Sequence, residues 1–214
     1  MPSTSLHNRI FLLSPAHSGG RRAELLLGGR GRFPLAQRFR DGDPVPLGEA
    51  FTFLSGLYFR GKLAYAERFA RPPAGVPGVQ IITTNQGLLP PDTLVGKADL
   101  RAFGTTEIDA DEPGYREPLR RSLAALAAAP AGEPPPAIVL LGSVATGKYV
   151  DVLLDSLGER LLFPSQFVGR GDMSRGALLL RAARDGIELA YEPVAGAVRR
   201  GSRPPSVSHA HSGR

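Results

Sequence analysis

Short apolar runs alternate along the chain with segments whose apolar residues recur every three or four positions. The runs 9–13 (RIFLL), 79–83 (VQIIT), 137–141 (AIVLL), 160–163 (RLLF) and 187–191 (IELAY) have the length and flanking breakers of strands. Helical spacing predicts helices over 35–40, 47–54, 58–71, 115–129, 145–157 and 173–184. In 115–129, Leu119, Leu123, Leu126 and Ala127 share one face, and Pro118 stands in the first turn, where proline is tolerated. Strands separated by helices need crossover connections. The pattern therefore predicts a single three-layer α/β domain over residues 1–197, with a mainly parallel sheet of about five strands. The stretch 130–136 (PAGEPPP) reads as a stiff connector inside that domain.

The pattern stops at Val198, where VRRGSRPPSVSHAHSGR brings four arginines, no acid and almost nothing to bury. That composition predicts a disordered tail over 198–214. The whole chain of 214 residues carries a net charge of +6, with 26 basic residues of which only Lys62, Lys97 and Lys148 are lysine. Guanidinium groups suit bidentate phosphate or carboxylate contacts, although a GC-rich genome produces the same excess. Cysteine is absent, which excludes disulfides, thiolate catalysis and cysteine-ligated metals. Neither a metal site nor a cofactor is expected. The polar N-terminus and the lack of any apolar stretch near ~20 residues predict a cytoplasmic protein without a membrane partner.

In open α/β sheets, ligands collect at the carboxyl ends of the strands, so the loops there are the ones to read. The loop after the first strand, SPAHSGGRR, offers Ser14, His17, Ser18 and Gly19 to an anion, with His17 also a candidate acid/base. After the third strand, Gly142, Ser143, Gly147 and Lys148 give a G-x4-G-K pattern that departs from a Walker A loop at Tyr149. The missing hydroxyl is the magnesium ligand, which argues against a P-loop nucleotidase and leaves a phosphate-binding turn of another kind. The loop GRGDMSRG sets Gly169, Arg170, Asp172, Ser174 and Arg175 before a helix, with two guanidinium groups suited to phosphate and Asp172 a candidate catalytic group. Asp172 and Ser174 serve equally as helix caps. The second-strand loop, TTNQGLLPPDTLV, supplies Asn85 and presents Asp92 as a candidate acid/base or sugar-hydroxyl ligand, or as a cap of the following segment.

The segment LSGLYFRGKLAYAERF interleaves aromatic and basic residues. Its spacing assigns Phe59 and Phe69 to the core and turns Gly56, Tyr58, Arg60 and Lys62 toward a ligand, where stacking and phosphate contacts would combine. The helix LYFRGKLAYAERFA, followed by a strand and TTNQGLLPPDTLV, resembles the signature of YaaA-type peroxide-stress proteins and related bacterial domains. The later Gly147-Lys148-Tyr149 loosely echoes the G-x-x-Y helix of those families. Thr84-Asn85 and the GRGDMSRG loop depart from their pattern. The resemblance implies an α/β fold and a link to DNA or nucleotide chemistry under stress, and it carries over no catalytic set.

Three readings of function follow. The first is a nucleic-acid-associated protein that binds DNA or acts on a nucleotide or N-glycosidic bond. The second is a small-molecule enzyme that holds a nucleotide or phosphorylated ligand at the strand ends. A non-catalytic module that contacts a protein partner is a third. No nucleophile–base–orienter set is visible in the local spacing, and the spacing does not decide between an enzyme and a binding protein.

Overall fold

The computed structural model describes residues 8–127, 135–145, 147–198 and 201. In chain order the elements are β1 (Arg9–Leu13), α1 (Arg21–Leu27), α2 (Pro34–Asp41), β2 (Val45–Pro46), α3 (Leu47–Ser55) and α4 (Leu57–Phe69). Next come β3 (Val79–Ile82), β4 (Leu88–Leu89), β5 (Leu94–Val95), α5 (Lys97–Thr105) and α6 (Pro113–Ala127). The chain then continues through β6 (Ala137–Leu141), α7 (Gly147–Leu157), β7 (Leu161–Pro164), α8 (Asp172–Asp185) and β8 (Tyr191–Pro193).

The main sheet has six strands in the order β4-β3-β1-β6-β7-β8. Its centre is parallel: β1 pairs with β3 and β6, and β6 with β7. The outer strands β4 and β8 run antiparallel to their neighbours. Strands β1 and β6 are apolar without alternation and their last four residues are buried, as expected for strands covered on both faces. Helix α4 packs on β1 and β3, and α8 lies along α4, while α6 and α7 pack against one another and α7 meets β7. The result is an α/β fold with a mainly parallel sheet, as the alternation of apolar runs predicts. A separate two-stranded sheet pairs β2 with β5.

Several sequence expectations need adjustment. The 160–163 run becomes a strand one residue later, Leu161–Pro164. The 187–191 run is mostly a connection, and its strand is Tyr191–Pro193. The backbone N–H of Leu189 donates instead to the Tyr65 hydroxyl at 2.9 Å, which holds the connection away from the ladder. Helix α4 ends at Phe69, because Arg71 leaves to bridge Arg9. The positions 128–134, including the last two residues of the helix expected over 115–129, lie outside the described residues, as do 199–200 and 202–214 of the tail. No described helix is long and apolar enough to cross a membrane.

Helix α4 is antiparallel to β1. Its C-terminal end is tied to the start of β1 by Arg9 Nε, which donates to the Phe69 carbonyl at 3.0 Å. Its N-terminal half therefore lies over the carboxyl ends of the strands. Gly56 enters the helix with φ +63°, a left-handed value that favours glycine. This geometry decides which side chains reach the strand ends.

Candidate functional site

Tyr58 and Lys62 lie four residues apart on the buried face of α4, and Arg60 points to solvent on the opposite side. The Lys62 ammonium is fully buried at the end of β1. It donates to the Ser14 carbonyl at 2.6 Å and to Ser14 Oγ at 2.9 Å. The rings of Tyr58 and Phe59 flank it, with centroids 4.6 and 4.7 Å away. Among the described residues no carboxylate lies within ion-pair distance of it. Burial lowers its pKa from the ordinary lysine range to about 7, and the more distant Asp172 carboxylate opposes the shift only in part.

Gly142, the first residue after β6, closes on the same point. A Cβ there would fall 2.8 Å from the Tyr149 hydroxyl and 2.9 Å from Ser14 Cβ, so only glycine allows the three groups to meet. The Tyr149 hydroxyl donates to the Ser143 carbonyl at 2.9 Å and also lies in hydrogen-bond contact with the Ser14 side chain. Burial raises its pKa. In the sequence Tyr149 is the residue that spoils a Walker A loop. In the fold it packs inward from the first turn of α7 and steadies the ends of β1 and β6.

The glycine-rich loop before α8 behaves differently from its sequence reading. Arg175 is buried, and its Nε and Nη2 donate to the Phe167 carbonyl at 3.2 and 3.1 Å. Its remaining terminal nitrogen lies 3.6 Å from Asp172. Arg170 donates to the Gln166 carbonyl and to Ser174 Oγ. Both guanidinium groups thus brace their own loop, in which Gly169 takes φ +73°. Asp172 occupies the first turn of α8 without capping it, and it pairs with Arg175. The Tyr58 hydroxyl sits beside Arg175 but is buried without an aligned hydrogen-bond partner, and burial raises its pKa.

A cleft of about 490 Å³ opens next to this cluster, starting two residues after Ser14. The loop after β1 supplies Ala16, His17 and Ser18 to it, the turn after β3 supplies Thr84, and α7 supplies Lys148. The C-terminal end of α5 and the connection to α6 close it with Thr105, Thr106, Glu107, Ile108 and Asp109. His17 and Lys148 are exposed, whereas Ser18 is buried and donates to the Ala16 carbonyl. Gly19 lies where a Cβ would come 3.2 Å from the Gly104 carbonyl, so the loop presses against the end of α5.

Of the predicted site residues, the fold thus gathers Ser14, Tyr58, Lys62, Gly142 and Ser143 into one buried cluster. It sets His17, Ser18 and Lys148 around the neighbouring cleft. Asn85 stays in the turn closed by the Thr83 N–H to the Gly87 carbonyl, with its Oδ1 buried and unpartnered. Asp92 does not join either group. The chain has already turned back through β4, and Asp92 lies exposed in the turn before β5. The sequence reading missed Tyr149, Thr84, Glu107 and Asp109. Thr84 was in view as a residue following a strand, but the two acids sit in an α5–α6 connection that carries no local signal. Among the described residues no group of three or more His, Asp or Glu side chains is gathered closely enough to hold a metal.

No protein-family model, curated protein or solved structure matches the chain.

Proposed function

We propose that the cleft at the carboxyl ends of the parallel strands binds a phosphorylated small molecule of nucleotide size. The observation that carries this reading is the pairing of polar chemistry around one opening. Lys148 supplies a positive group and His17 an imidazole from two adjacent strand ends, and Glu107 and Asp109 supply carboxylates from the α5–α6 connection. A ligand with a phosphate at one end and hydroxyl or amino donors at the other complements both. The volume lies within the ordinary range for ligand pockets, roughly 300–1,000 Å³, and the position is where open α/β sheets bind ligands.

The alternative partner is a nucleic acid. That reading rests on the arginine-rich loop, the aromatic–basic helix with Tyr58, Arg60 and Lys62, and the family resemblance. Tyr58, Lys62 and Arg175 are buried and Arg170 braces its own loop, so of these side chains Arg60 is the exposed one, which favours the small ligand.

Thermal denaturation with nucleoside monophosphates, ATP, ribose 5-phosphate and pyrophosphate tests the proposal. We expect at least one nucleotide to raise the midpoint in the wild type, with the shift lost in Lys148→Ala and reduced in His17→Ala. A panel without any shift, or a shift untouched by both variants, overturns it. Fluorescence anisotropy with single- and double-stranded DNA across a salt series tests the alternative. Binding that weakens steeply with salt would favour the nucleic acid.

A further inference from the structure

The hydrogen bond between Ser14 Oγ and Lys62 Nζ has a consequence beyond the neighbouring cleft. A buried lysine usually has a carboxylate partner, and Lys62 has only Ser14 and two aromatic faces. Several other features make the arrangement specific. The contact joins positions 48 residues apart. It requires a glycine at 142 and lies in hydrogen-bond contact with Tyr149, whose own proton is committed to the Ser143 carbonyl. The hydroxyl of Tyr149 therefore accepts rather than donates toward Ser14. With the amine neutral, the Ser14 proton has one acceptor in Tyr149 and one in Lys62.

We propose that Ser14 and Lys62 form a nucleophile–base dyad that transfers an acyl group, with Ser14 attacking an ester or thioester carbonyl of the bound ligand. The choice of a ligand-borne ester rests on the function proposed above, whereas the dyad stands on its own geometry. In the first half-reaction, Ser14 Oγ forms a bond to the carbonyl carbon as its proton passes to neutral Lys62 Nζ. The bond from that carbon to the leaving oxygen or sulfur then breaks, and the Lys62 ammonium returns the proton to the leaving group. In the second half, Lys62 takes a proton from water as the water oxygen attacks the acyl carbon. The Ser14 ester bond breaks, the proton returns to Ser14, and the carboxylic acid is released. Tyr149 is a positioning residue that fixes the Ser14 rotamer.

A carbonyl substrate fits the surroundings better than a phosphoryl group. In its base form Lys62 carries no charge, and the nearby Arg175 is already bonded to the Phe167 carbonyl. A phosphoryl group would meet no free cation at Ser14, while a neutral carbonyl needs none. The groups facing Lys62 are Ser14 from the end of β1, Tyr58 and Phe59 from α4, and Tyr149 from α7. Asp172 and Arg175 at the start of α8 complete its charged surroundings. Of these, Asp172 is the carboxylate, and it lies at a distance on the exposed first turn of α8.

The full chain treated with a fluorophosphonate probe, which traps activated serines, provides the test, with the adduct mapped by mass spectrometry. We expect modification of Ser14, none in Ser14→Ala, and a rate at least a hundredfold lower in Lys62→Met. Lys62→Arg should fail to rescue it, because a guanidinium does not deprotonate. Where Lys62→Met does not fold, the wild-type rate decides. It should climb tenfold per pH unit below about 7 and level off above. An adduct elsewhere, no adduct, or a rate that keeps climbing beyond pH 9 overturns the dyad. A nucleotide-induced thermal shift without a Ser14 adduct removes the dyad and leaves the ligand reading standing. A Ser14 adduct without any nucleotide shift does the reverse.

Discussion

Gly61 and Gly176 meet with backbone against backbone where α4 crosses α8. A Cβ on Gly61 would lie 2.6 Å from the Gly176 carbonyl oxygen, and one on Gly176 would lie 2.9 Å from the Leu57 carbonyl oxygen. The two residues that follow and precede them, Lys62 and Arg175, are both buried as a result of that crossing. The site depends on the absence of two methyl groups.

Either alanine substitution here forces the helices apart, since the obstructing atoms are backbone. Gly61→Ala and Gly176→Ala are each expected to destabilise the fold by about 1–3 kcal/mol, the usual range for overpacking. Urea denaturation of the two variants measures this. Wild-type midpoints for both would show that the crossing is looser than described.

Lys62 predicts an unusual pH dependence of stability. Its folded pKa is lowered to about 7 by burial, while the unfolded chain holds the same proton up to about 10.4. Between those values the unfolded state binds more protons, so stability rises with pH, by up to about 1.4 kcal/mol per unit from this group. Below pH 7 its contribution is flat. Above pH 10 the sign reverses. Burial raises the phenol pKa values of Tyr58, Tyr65, Tyr115 and Tyr149, so the unfolded state loses those protons first. Denaturation midpoints at pH 6, 8, 9.5 and 11 should rise and then fall, and Lys62→Met should abolish the rise.

A third prediction concerns the network that anchors β8. Tyr65 Oη accepts from the Leu189 N–H and lies 2.6 Å from the Tyr191 hydroxyl, which donates to Glu188 Oε1 at 2.7 Å. Glu188 also pairs with Arg9 at 2.8 Å. Tyr65→Phe leaves a buried N–H without an acceptor, a loss of about 1–3 kcal/mol. In a double-mutant cycle with Glu188→Gln, the two losses should sum to more than the double variant shows. Strict additivity would mean that the hydroxyl chain does not act as a unit.

Arg175→Lys is expected to behave as a disruptive change. The guanidinium gives two N–H groups to one carbonyl and lies over the Phe167 ring at 5.5 Å. An ammonium cannot reproduce that fork. A loss of about 1.5–3 kcal/mol, read from thermal denaturation, is the expected outcome, because the Phe167 carbonyl keeps the Arg170 N–H and loses its charge-assisted fork.

Much of the architecture was legible because strands covered on both faces are written as unbroken apolar runs, as in 9–13 and 137–141. The departures have local causes. Helices α1 and α5 each bury only two residues, Ala23 and Leu26 or Leu100 and Phe103, too few for a repeating apolar face to stand out. The 187–191 run looks like a strand, yet Leu189 turns inward to the Tyr65 hydroxyl, and that partner is distant in sequence. The site was legible in its parts and not in its pairings. Lys62 read as a cation aimed at a ligand because the tight approach of α8, which buries it, depends on Gly176, more than a hundred residues later. Tyr149 read as a defect in a phosphate loop because the spacing of that loop says nothing about which way the helix faces.

An open sheet ordinarily presents two rows of unpaired N–H and carbonyl groups to any passing chain. Here one margin is the two-residue β4, and the other is the three-residue β8, which ends on Pro193, a residue with no N–H to offer. Neither margin gives a foreign strand enough backbone to hold. The four central strands, whose parallel pairing is slow to assemble, are thus walled off from neighbouring molecules once the short margins close. The fold resists edge-to-edge growth without forming a barrel.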